Sequence, residues 1–81
     1  MENNSEERIV ARGLKSPGPL LLVKKRLKTS VATRIRVIVS SQEAAEDLVN
    51  YLETRGATVE TDRTGEDFHV VADLTRFKDV G

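Results

Sequence analysis

Strict alternation of apolar and polar side chains is clearest at Arg34-Ile35-Arg36-Val37-Ile38-Val39. Ile35, Val37 and Val39 fall on one face and Arg34, Arg36 and Ile38 on the other, which predicts a strand. Immediately afterwards the apolar spacing changes to that of a helix. Ala44, Leu48 and Leu52, with Ala45 and Val49 beside them, form one side, and Glu43, Glu46, Asp47, Asn50 and Glu53 form the wet side. Ser40 and Glu43 stand at capping-box spacing and mark the start, and Gly56 is placed as the residue that stops the helix. Upstream, Arg8-Ile9-Val10-Ala11-Arg12 reads as a short strand, and Gly13-Leu14-Lys15 as its exit loop. A first helix is predicted from about Pro17 to Lys28, with Leu20, Val23 and Leu27 as its core stripe. Ser16 is its expected N-cap, because Pro17 at the first helical position and Pro19 within the first turn need no N–H there. Two short strands, 58–62 and 68–73, flank Arg63-Thr64-Gly65-Glu66, which has the length and glycine of a hairpin loop. Residues 1–7 lack periodicity and read as a flexible tail, as do residues 75–81.

The element order is therefore β-α-β-α-β-β, an α+β chain. Right-handed crossovers bring both helices to one face of the sheet, giving a two-layer α/β sandwich over residues 8–74. The opposite face, carrying Arg8, Val10, Arg36, Ile38, His69 and Val71, is left open to solvent or to a partner.

Composition narrows the chemistry more than the fold. The 81 residues allow one domain, and with no cysteine there can be no disulfide, thiolate metal site or cysteine nucleophile. A single His makes a structural zinc site unexpected, and neither a metal nor a cofactor is implied. No apolar run approaches membrane-spanning length, and the acidic, polar start is unlike a signal sequence, so a cytoplasmic location is expected. The net charge of zero conceals two unlike halves. Residues 1–36 carry nine basic and three acidic side chains, and residues 37–81 carry four basic and ten acidic. Such a chain can be oriented by charged partners.

The segment Ala11-Arg12-Gly13-Leu14-Lys15-Ser16-Pro17-Gly18-Pro19-Leu20 resembles the signature of the TusA/SirA-like small sulfur carriers, a strand-loop-helix passage of the form hRGLxCPxP. The resemblance extends to chain length, element order and the acidic second helix. It implies a mixed four-stranded sheet with two helices, an architecture also found in the C-terminal domain of the third bacterial initiation factor. Arg12, Gly13, Leu14, Ser16, Pro17 and Pro19 are the matching motif positions. At position 16 the family has the Cys that carries a persulfide in sulfur relay; here it is Ser16. A helix N-terminus lowers a thiol pKa and makes such a Cys useful, whereas an alcohol gains no comparable acidity and forms no persulfide. Gly18 also departs from the acidic residue common in the family.

As a nucleophile Ser16 needs a base within reach, and the only His, His69, is predicted on the open face. Ser16 therefore reads as a cap, and no catalytic residue is assigned. Lys24, Lys25, Arg26 and Lys28, with Arg12 and Lys15, form a basic cluster that suits an acidic protein or phosphate groups. Only Tyr51, Phe68 and Phe77 are aromatic, and none interleaves with that cluster, which disfavours base stacking. Leu21 and Leu22 lie off the core stripe and offer either an apolar docking pair or a contact with a neighbouring loop. The leading expectation is a non-enzymatic member of a sulfur relay that acts by protein contacts through Lys15, Leu21, Leu22, Lys24, Lys25 and Lys28. Two others are kept: a small RNA- or nucleoprotein-binding module using the same helix and the open sheet face, and an active carrier whose native residue 16 is Cys.

Overall fold

The computed structural model describes residues 6–78. Its elements are β1 (Glu6–Val10), α1 (Gly18–Leu27), β2 (Arg34–Val39), α2 (Gln42–Thr54), β3 (Thr58–Thr64) and β4 (Asp67–Asp73). The sheet order is β1-β2-β4-β3. β1 runs parallel to β2, and β4 is antiparallel to both β2 and β3, so the sheet is mixed. Both helices lie on one side, and the thin dimension of 19 Å fits one sheet covered by one layer of helix.

The alternation in β2 does what it predicts on the helix side. Ile35, Val37 and Val39 are fully buried with Ile9, Val23, Leu48, Leu52, Val70 and Ala72. Ile38 belongs to the other face yet is also fully buried. Its cross-strand neighbours are Val10 and His69, and Arg36 reaches across to within 3.1 Å of His69 Nδ1. The open face is thus partly roofed by its own long polar side chains.

Several boundaries differ from the sequence expectations. β1 begins at Glu6, so the last two residues of the expected N-terminal tail are paired strand; residues 1–5 lie outside the described residues. Charge had disguised this end. Glu6 accepts from Arg36 at 3.1 Å and Glu7 from Arg26 at 2.6 Å. Hydrogen bonds from Ser30 and Arg26 hold the Glu7 carboxyl below its ordinary pKa. β1 stops at Val10, although the Ala11 N–H adds one more bond to the Ile38 carbonyl at 2.8 Å. At the other end, the hairpin strands extend to Thr64 and Asp67 and leave a two-residue turn, Gly65-Glu66. Gly65 has φ +63°, as a turn with glycine first requires.

The α2 cap moves by one residue: Ser41, not Ser40, receives the Ala44 N–H at 3.1 Å. Gly56 does end α2, with φ +98°. Gly56 N–H bonds to Glu53 and Ala57 N–H to Leu52, the paired bonds of a Schellman ending. The expected loose end is not loose over 75–78. Asp73 accepts from the Thr75 N–H, Phe77 packs beside Tyr51 with ring centroids 6.2 Å apart, and Lys78 N–H bonds to the Arg55 carbonyl. Residues 79–81 lie outside the described residues.

Candidate functional site

Between β1 and α1 the chain turns over the end of the sheet, and a network of polar contacts holds that turn. Gly13, at φ +81°, supplies a left-handed bend and donates its N–H to Ser40 Oγ at 2.9 Å. Arg12 Nε donates to Asp67 at 2.8 Å, which ties the motif to the start of β4. The Gly18 N–H closes on the Lys15 carbonyl at 2.6 Å, and the Leu21 N–H on that of Pro17 at 3.0 Å. The Ser16–Pro17 peptide bond is cis. The resulting half-open cleft, of about 380 Å3, is lined by Gly13, Leu14, Lys15, Ser16, Ser40, Ser41 and Glu43.

Ser16 does not cap α1. The helix begins at Gly18 after Pro17 at the N-cap position, without a side-chain cap, and Pro19 is buried in its first turn. The half-buried Ser16 hydroxyl instead donates to Asp47, tying the turn before α1 to α2. As acceptor of that hydrogen bond Asp47 fixes the direction of the hydroxyl; a histidine base of the kind that activates serine in a triad is the further requirement of that chemistry. His69 is not such a base, because it faces the other side of the sheet beside Arg36. Among the described residues no three His, Asp or Glu side chains cluster so as to hold a metal, and no helix is long and apolar enough to cross a membrane.

The basic, apolar surface of α1 is smaller than the sequence suggests. Lys15, Lys25 and Lys28 are exposed, and so is Leu21, at 58%. Lys24 is half-buried with Nζ 5.1 Å from the centroid of the Tyr51 ring, while Leu22 packs on the core. Arg12 and Arg26 are engaged by Asp67 and Glu7. Leu14, 43% exposed, joins Leu21 as an apolar group that the docking expectation had left out. Position 47 had no local signal at all: it read as one more polar residue on a wet helix side. Ser40, matched only as a cap, is a support for the Gly13 turn.

The family model for sulfurtransferase TusA matches residues 7–72. A crystal structure of a SirA-like protein from Desulfitobacterium hafniense is similar to this chain with a TM-score of 0.72 and 22% identity, over 82% of this chain and 93% of that one. Among curated proteins no match is found.

Proposed function

This chain belongs to the TusA sulfurtransferase family, and from that premise we propose that it serves a sulfur relay in the cytoplasm as a docking or regulatory protein, without carrying sulfur itself. The observation that carries the reading is Ser16 at the acceptor position in a chain without any cysteine. The Ser16–Asp47 hydrogen bond supports it, since the oxygen there is committed to a contact between the turn before α1 and α2.

Incubation with a cysteine desulfurase and free cysteine is expected to leave the mass unchanged. A gain of about 32 Da, one sulfane sulfur, would overturn the reading. The Ser16→Cys variant adds a sharper test. The α1 terminus favours a thiolate by about 0.3–1 kcal/mol, but a carboxylate in hydrogen-bond contact acts against it more strongly at close range. The new thiol is therefore expected to titrate above the free value of about 8.5, and Asp47→Asn is expected to bring it down. A thiol already well below that value beside an intact Asp47 indicates a site poised for sulfur, and favours an active carrier with Cys as the native residue.

Docking is assigned to the surface formed by Leu14, Leu21, Lys15, Lys25 and Lys28. With a sulfur-relay partner protein, reversing Lys25 and Lys28 is expected to slow association and flatten its salt dependence, whereas Leu21→Ala is expected to speed dissociation. Surface plasmon resonance at two salt concentrations separates the effects. An RNA-binding module instead predicts steep salt dependence on every RNA tested and indifference to Leu21.

A further inference from the structure

The far edge of the sheet carries a second surface, independent of α1 and Ser16. Among the described residues β3 is an edge strand, paired only with β4. The two-residue turn makes Thr64 and Asp67 a hydrogen-bonded pair, and antiparallel alternation then turns the N–H and C=O groups of Val59, Thr61 and Arg63 outward, away from β4. Arg63 agrees with this phase, because its N–H is satisfied by its neighbour Asp62 at 2.9 Å and not by the ladder. Alongside runs a groove of about 560 Å3 between β3 and α2. Ala45, Val49 and Phe68 give it an apolar floor, and Glu46 and Thr61 are among its polar lining. On the opposite face of β3, Glu60 and Asp62 are exposed and form no ion pair with any described residue.

We propose that this edge accepts an extended segment of a partner protein in which apolar residues alternate with Lys or Arg. Main-chain bonds to β3 supply the attachment, and the alternating side chains supply the selectivity. Residues opposite Val59, Thr61 and Arg63 turn toward α2 and lie in the groove; residues opposite Glu60 and Asp62 turn to the other face and meet two carboxylates. Arg63 does not cancel this preference, since it is stacked on Phe68, with its guanidinium 5.1 Å from the ring centroid. A second copy of β3 is a poor occupant. An antiparallel pairing centred on Thr61 sets Glu60 against Asp62, and sliding one step either way sets Glu60 against Glu60 or Asp62 against Asp62. Like charges thus block self-pairing at the edge where a basic strand fits.

The test is NMR titration of the isotope-labelled full chain with an end-blocked Val-Lys-Val-Lys-Val peptide, using Val-Glu-Val-Glu-Val as control. The basic peptide is expected to shift the amides of residues 58–64 together with Ala45 and Val49, and the acidic one to leave them in place. Thr61→Pro removes an outward N–H, a change an edge strand tolerates, and is expected to abolish the shifts. Glu60→Lys with Asp62→Lys is expected to weaken binding about tenfold or more and covers the case in which the proline variant does not fold. No shift at millimolar peptide, equal shifts from both peptides, shifts confined to α1, or binding that survives in a folded Thr61→Pro protein overturns the proposal. Shifts from the second copy alone, growing with protein concentration, overturn it too.

Discussion

Leu48→Ala is expected to lower the unfolding free energy by about 2–5 kcal/mol, the usual result of truncating a fully buried leucine. Leu48 occupies the middle of the α2 stripe and belongs to the cluster shared by both helices and the sheet. No disulfide backs that cluster up, because the chain has no cysteine. At roughly 0.05–0.15 kcal/mol per residue, a chain of this size has roughly 4–12 kcal/mol in all, so the loss removes a large part of it. Urea denaturation should show a midpoint far below wild type. Leu21→Ala, at a site 58% exposed, is the matched control and should fall within about 0.5 kcal/mol of wild type. Equal effects from the two leucines would mean that the buried faces of the helices are assigned wrongly.

Gly56→Ala is expected to cost more than about 2 kcal/mol, for two separable reasons. At φ +98° any side chain is strained, by roughly 1–2 kcal/mol where the backbone is left-handed. Beyond that, a Cβ at Gly56 would clash with the Arg76 carbonyl oxygen, which is backbone and cannot swing aside. Relief of that clash has to move the turn that carries Phe77 onto Tyr51 and places the Lys78 N–H on Arg55. Gly13→Ala isolates the first term, since φ is +81° there and nothing lies within 4 Å of the added atom. The difference between the two variants in thermal or urea unfolding measures the clash, and loss of the Tyr51–Phe77 ring-current shifts locates it. Equal costs at both glycines would show that the Arg76 turn yields freely.

The elements most easily read from the sequence were those whose reasons are local. β2 alternates, α2 keeps a helical stripe, and Gly56 stops it for a reason contained in its own backbone. The Arg-Gly-Leu and double-proline segment was enough for the family. What escaped has its cause at a distance. Ser16 carries every local mark of a cap, yet its hydroxyl goes to Asp47, thirty-one positions later. Ser40 and Ser41 compete for the same role, and the choice turns on Gly13, which takes the Ser40 oxygen from across the loop. Glu6 and Glu7 look like tail until Arg36 and Arg26 are placed beside them. The 75–78 turn is a mixed case. Residues 75–81 read as a tail, although Asp73 followed two residues later by Thr75 is a turn-forming pattern, and the seat of Phe77 on Tyr51 has its cause at a distance.

The strand order also bears on synthesis at the ribosome. β2 emerges before its antiparallel neighbour β4, with α2 and β3 between them in the chain. Until residues 67–73 have left the exit tunnel, β2 has only β1 to pair with, and that pairing closes a long loop through α1. The β3–β4 hairpin needs only its two-residue turn and can form as soon as it emerges. Vectorial synthesis therefore delivers β1 and β2 ahead of the hairpin that supplies β2's second neighbour, and the order of the strands along the chain is not their order in the sheet.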